Sequence, residues 1–415
     1  MTEARQTAAT VWNYLLLVLI GTFPALSVIM DGYGSAIWYV FGLLGIIAFA
    51  LNSNVRQSLC IEPRALFFLA APCLFFLWSM VIYWQVDPSD FAKSRVQRHA
   101  LLLICLPVIA LMFQARFRAK DLLLSFSLSG LVFLGYWLFH DRGGRLDGLV
   151  HAIHFGNIAL ITLLLCIGGL LIQTKRHWTI VAAAGSIGAL IAFMESGSRG
   201  GLVALFLALL TVGLWLSIFR NKIRYFVITL ALVASAAMVS VKFIDPVSER
   251  YELTLSELNK YSEGQMYTSM GMRLLMWEAA LSVITDAPVI GSGFSGYRSE
   301  IVNRVEEGRL KPLMLNFSSE PHNQYLYQLT SHGLVGLFLL LLILTTPVFY
   351  LAAPHSESNR NHTVLRVTLA VVFLSIIFFG LTITLFDQRR ILQNFGLFYA
   401  VVAWFLHDNN KESAS

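Results

Sequence analysis

"EPHNQYLYQLTSHGLVGLFLLLLILTT", Glu320 to Thr346, is the stretch on which the fold turns. From Leu337 to Thr345 it carries almost no polar atom. A run of this kind, within about 20 predominantly apolar residues, is long enough to cross a bilayer as a helix. Its head is a Pro-His-Asn-Gln cluster. Two readings of that cluster are open. His322 and Asn323 cap the helix, or they reach a substrate at a membrane surface.

Working outward, the same apolar character recurs along the chain. Of 415 residues, 57% are hydrophobic and 13% charged, with a mean hydropathy of +0.67. A soluble globular chain carries about 25% charged residues, so an all-α, polytopic integral membrane protein is expected. Twelve candidate spans lie near 11–30, 35–51, 65–84, 99–113, 122–139, 156–172, 178–194, 201–219, 225–244, 333–353, 364–386 and 391–407. The first lacks a small-residue cleavage site and reads as an uncleaved span rather than a signal peptide. The expected organisation is nine spans in 1–244, a polar loop in 245–323, three spans in 324–407 and a cytoplasmic tail in 408–415. Cys60, Cys73, Cys105 and Cys166 fall in or beside spans without a CxxC pair, which indicates neither a disulfide framework nor a zinc site.

The net charge of +6 is scattered over loops, so positive-inside bias explains it better than nucleic acid does. With the N-terminus inside and twelve spans, the short inside segments hold thirteen Lys and Arg. The short outside segments hold eight: Lys93, Arg95, Arg98, Arg142, Arg145, Arg199, Arg389 and Arg390. The bias places both termini in the cytoplasm. The outside cations exceed what orientation requires, and an anionic ligand on the outer face would account for them.

The one sizeable polar region, Asp245 to His322, then lies outside. Leu253, Leu255 and Leu258 give Ser248–Tyr261 a helical pattern. Apolar residues at 272, 275, 276, 279 and 283 give the next segment the spacing of an amphipathic helix ended by Pro288. Both are expected to lie on the membrane surface. "GSGFSG", Gly291–Gly296, spells a dinucleotide fingerprint, but no strand precedes it, and turn-forming glycine is the better reading.

Four clusters carry candidate chemistry. In "MESGSRGGLVALF", Arg199 sits among small residues where Ser198 or Gly200 begins a helix, a natural anion site. The bland reading is a tight turn whose arginine meets lipid phosphates. Arg273 stands one turn before Trp277, which shares its face and is placed to stack on the guanidinium; the alternative is a snorkelling arginine. Glu320, His322, Asn323 and Tyr325 cluster where the loop meets a span, and histidine is suited to take a proton near neutral pH. Glu320, two residues upstream, is a candidate to orient or tune it. Arg142 and Arg145 lie among glycines, with His151 and His154 beyond. No third ligand accompanies those histidines, so no metal and no cofactor are expected. Arginines with a histidine suggest a pyrophosphate leaving group stabilised by guanidinium.

In order, "SGSRGGL", "MRLLMWEAALSVITDAPVIGSGFSGY" and "EPHNQYLYQLTSHGLVGL" resemble the O-antigen ligase and polymerase superfamily. The motifs cover roughly Glu195 to Leu337. The resemblance implies a metal-independent glycosyltransferase of the inner membrane with a periplasmic site. Its donor would be a glycan on undecaprenyl pyrophosphate and its acceptor a sugar hydroxyl of the lipid A core. It further implies that Arg199 and Arg273 hold the pyrophosphate and His322 activates the hydroxyl, with inversion. Ser198, Arg142, Arg145, Asn323 and Tyr325 are the expected substrate contacts. Membrane lipids are expected partners and nucleic acid is not. A polymerase with the same donor and, from another class, a polytopic lipid-linked glycan transporter are the alternatives.

Overall fold

A computed structural model describes residues 3–61, 63–140, 144–219, 222–224, 226–231, 233–234, 252, 256, 265–353 and 360–414. Among them there is no strand. Among the described residues, the helices with full bounds before the polar loop are α1 (Glu3–Ile29), α2 (Tyr33–Leu51), α3 (Ser53–Ile61), α4 (Pro63–Gln85), α5 (Asp90–His99), α6 (Cys105–Gln114), α7 (Ala119–Ser125), α8 (Ser127–Phe139), α9 (Ala152–Ile172), α10 (Arg176–Ser196) and α11 (Arg199–Phe219). The loop region holds α12 (Ser269–Asp286) and α13 (Gly296–Glu306), and α14 (Gln324–Ala352), α15 (Arg360–Phe379) and α16 (Arg389–Ala414) follow.

Among the described residues, ten helices are long and apolar enough to cross a membrane, and they coincide with ten of the twelve expected spans. The chain is an all-α, multi-pass membrane protein. The fourth span starts earlier than its apolar run, at Asp90, because polar α5 continues through a 3₁₀ segment (Ala100–Ile104) into α6. The expected span 364–386 is cut short. Helix α15 stops at Phe379, and Gly380–Gln388 is an irregular turn containing Thr382, Thr384 and Asp387. Of the expected span 225–244, residues 226–231 and 233–234 are described and helical, and the rest lies outside the described residues, as does the surface helix at Ser248–Tyr261 apart from residues 252 and 256.

The twelfth expected span is not among the ten, since Gln393 and Asn394 interrupt its apolar run. It is nonetheless the axis of the bundle. Phe395, Leu397, Phe398, Tyr399, Val402 and Trp404 of α16 are almost fully buried. Because protein rather than lipid surrounds it, α16 can bury polar side chains against partners: Asn394 Nδ2 donates to Ser27 Oγ on α1 at 2.8 Å. Around this axis, α9 packs on α8 and α10, α2 on α6, α4 on α14 and α11 on α15. At the α8–α10 crossing, a Cβ on Gly130 would lie 2.0 Å from the Gly185 carbonyl, so glycine sets how closely those helices approach.

Helix α14 is kinked at Gly333, with φ 64° and ψ −165°. This region is open essentially to glycine alone. The "GSGFSG" loop is spliced into the kink. Leu334 N–H donates to the Pro288 carbonyl at 2.9 Å and Ser292 N–H to the Thr330 carbonyl at 2.8 Å. Backbone groups freed by the break are thereby satisfied by the loop, as a membrane protein requires. That is the role of the glycine run: Gly291 and Gly293 have φ of 86° and 77°.

The amphipathic helix expected near residue 272 is α12, and it ends at Asp286, before Pro288. Part of its apolar stripe packs against protein. Met276, Ala279 and Ala280 pack with Tyr297, Ile301, Leu310 and Met314 into a small core of their own. Arg304 of α13 bridges Glu300 at 2.6 Å and Glu278 of α12 at 3.1 Å. The apolar spacing of α12 thus builds this local core.

Candidate active site

The turn between α12 and α14 shows which residue caps the helix. Asn323 is the N-cap of α14: its Oδ1 accepts from Tyr325 N–H at 3.0 Å and Leu326 N–H at 3.1 Å. Its Nδ2 donates to the Leu381 carbonyl at 3.2 Å, in the irregular turn after α15. Gln324 reinforces that link, its Oε1 accepting from Leu385 and Phe386 N–H. Tyr325 donates its hydroxyl to the Ile377 carbonyl at 2.6 Å. Expected as substrate contacts, Asn323 and Tyr325 thus spend these polar groups on the scaffold.

His322 makes no cap. It is the one non-glycine residue with positive φ among those described, at 49°. Its Nδ1 lies 3.3 Å from Glu320 Oε1. Burial alone would push the Glu320 carboxyl up. The neighbouring His322, with positive charge from His154 and Arg95, outweighs this and holds it below the ordinary carboxylate value. The preceding peptide is fixed from α12, where Trp277 Nε1 donates to the Pro321 carbonyl at 3.1 Å. Arg273 is one turn before that indole on the same helix and is half-buried. Sequence reasoning offered Trp277 as a stacking surface for the guanidinium; the indole N–H in addition holds the histidine turn.

Arg199 is the first residue of α11 and is exposed. Ser198, 3% exposed, accepts from Gly201 N–H at 3.3 Å and donates to Asn157 Oδ1 of α9 at 3.2 Å. Gly197 ends α10 with φ 61°. Arg145 clamps this turn, donating Nε to the Ser196 carbonyl at 2.7 Å and Nη2 to that of Gly197 at 3.1 Å. Those contacts make Arg145 part of the mount for Arg199. Arg142 lies outside the described residues.

The N-terminal end of α9 joins these parts. Asn157 meets Ser198, while His151 and His154 lie within electrostatic reach of both Glu320 and His322. The Arg199 turn, the Arg273 helix and the His322 turn therefore converge at one end of the bundle. A fourth segment joins them that sequence reasoning counted only for orientation. Arg95 of α5 is buried in an ion pair with Asp387, and Arg98 Nη1 lies 3.1 Å from the same carboxylate. The surplus of outside cations was the one signal of it. Its partner, 292 positions later, left none.

A family model described as "O-Antigen ligase" matches residues 184–341. That window opens in α10, closes in α14 and contains Arg199, Arg273, Trp277 and His322. Over that window the chain is similar to the O-antigen ligase family. An uncharacterized protein of Haemophilus influenzae (strain ATCC 51907 / DSM 11121 / KW20 / Rd) is 28% identical over 343 residues, 79% of this chain and 82% of that protein. The O-antigen ligase of Escherichia coli (strain K12) is 23% identical over 341 residues, 80% of this chain and 78% of that protein. Both likenesses extend well beyond the superfamily window into the flanking helices.

Proposed function

We propose that this protein is a member of the O-antigen ligase superfamily and an O-antigen ligase acting at the periplasmic face of the inner membrane, with both termini in the cytoplasm. It transfers a glycan from undecaprenyl pyrophosphate to a hydroxyl of the lipid A-core oligosaccharide. The observation that carries this reading is the convergence of the Arg199, Arg273 and His322 segments through α9 and Trp277. In the proposed step, His322 Nε2 takes the proton of the acceptor hydroxyl as its oxygen bonds to the anomeric carbon. The bond from that carbon to the phosphate oxygen breaks, and the electron pair leaves on the pyrophosphate. Arg199 and Arg273 neutralise the charge that develops there. Attack in line inverts the anomeric carbon. Guanidinium groups stabilise a leaving group that is already good, so the step calls on no metal.

Surface lipopolysaccharide from a deletion strain tests the assignment. Loss of all long chains, with lipid-linked glycan accumulating, is expected. A core bearing a single repeat unit would instead identify the polymerase of the same superfamily.

A further inference from the structure

The His322 turn is held at both flanks. Trp277 fixes the Pro321 carbonyl at 3.1 Å, and Asn323 is fixed by the two amides it caps and by the Leu381 carbonyl. Between these pins the backbone adopts the left-handed conformation at a histidine, which ordinary side chains avoid. The outcome of that strain is specific: imidazole Nδ1 comes to 3.3 Å from Glu320 Oε1. Glu320 is 8% exposed, and its Oε2 has no hydrogen-bond partner among the described residues.

We propose that Glu320 is the positioning partner of His322: it takes the Nδ1 proton side of the ring, so that Nε2 faces the acceptor hydroxyl, and it stabilises the imidazolium formed on transfer. The proposal rests on the reading of His322 as the base. The Nδ1–Oε1 contact is less well aligned than a hydrogen bond, as pairs of this kind often are until reactants bind. Other ionisable groups also face Glu320: His151 and His154 from α9, Arg95 and Arg98 from α5, Tyr297 from α13 and Tyr327 from α14. None of them is altered in the test.

The measurement is the pH midpoint of diethyl pyrocarbonate modification at His322, resolved by peptide mass spectrometry on the full-length protein in detergent. It needs no turnover. Glu320→Gln removes the counter-charge of the imidazolium and is expected to lower the midpoint by about one pH unit. The acid limb of kcat is expected to move the same way with the donor KM unchanged. A midpoint and limb identical to the parent's overturn the proposal. If Glu320→Gln does not insert, Glu320→Asp draws the charge back by one methylene and is expected to lower the midpoint by less. An unchanged midpoint there also overturns the proposal. His322→Asn separates the two claims. Near-parent turnover overturns the base reading itself; its loss beside an unshifted Glu320→Gln midpoint overturns the pairing alone.

Discussion

At the scale of single residues, the helix cap and the base candidate are adjacent but distinct. Asn323 supplies the cap, so replacing His322 removes no capping bond. His322→Asn is therefore expected to leave expression and thermal stability close to the parent. It should lower glycan transfer by about 10²–10⁴-fold, the usual contribution of a general base. A kinetic assay with purified donor and acceptor checks this, and near-parent rates would return the histidine to a structural role. The arginines make a geometric claim. A lysine is a point charge and cannot reproduce the planar fork of a bidentate phosphate contact. Arg199→Lys and Arg273→Lys should each lose most activity while still inserting; equal activity would reduce both contacts to simple electrostatics. Glu320 gives a pH dependence with a definite sign. Its folded value lies below the ordinary carboxylate value of about 4.3. It therefore contributes stability that is present above that value and lost as pH falls through the folded one. Melting curves between pH 7 and pH 3 should show the parent losing its advantage over Glu320→Gln at the acid end.

At the scale of elements, the splice between the glycine loop and α14 makes the sharpest prediction. A Cβ on Gly333 would lie 2.2 Å from the Val289 carbonyl, and its backbone conformation excludes other residues. Gly333→Ala is expected to cost at least about 1–3 kcal/mol and to lower the melting temperature of the solubilised protein. An unchanged melting temperature would mean that α14 straightens without penalty. This splice also marks where sequence reading stopped. Helix α12 was legible because its apolar spacing is local. The loop "GSGFSG" could be recognised as turn-forming, but its destination depends on a kink about forty residues later. The same holds for Glu320 and His322. Their neighbourhood was visible, while the turn that joins them is set by Trp277 from α12 and Leu381 from beyond α15.

At the scale of the molecule, ten spans were legible because bilayer thickness imposes a length that composition reveals. The buried axis α16 was legible as an apolar helix but not as an interior one, since burial by protein and by lipid leave similar patterns. Sidedness is testable in a cysteine-free background. Gly144→Cys and Ser319→Cys, both at exposed positions near the site, should react with an impermeant maleimide in cells with a permeabilised outer membrane. Thr174→Cys, between α9 and α10, should not. Labelling of Thr174 with protection of the other two would invert the orientation. The kink has a last consequence, which concerns depth. Below Gly333, Leu334–Ala352 is nineteen residues, about 28 Å of helix at 1.5 Å per residue, against a hydrocarbon core of about 30 Å. The segment below the break is thus long enough to cross that layer by itself, while Gln324–His332 is largely buried within the protein. For the lipid-linked donor proposed above, a helix that needs only its lower part to span would leave its upper turns free to face phosphates at the bilayer edge, so that the donor would reach the arginines by drifting sideways within the leaflet.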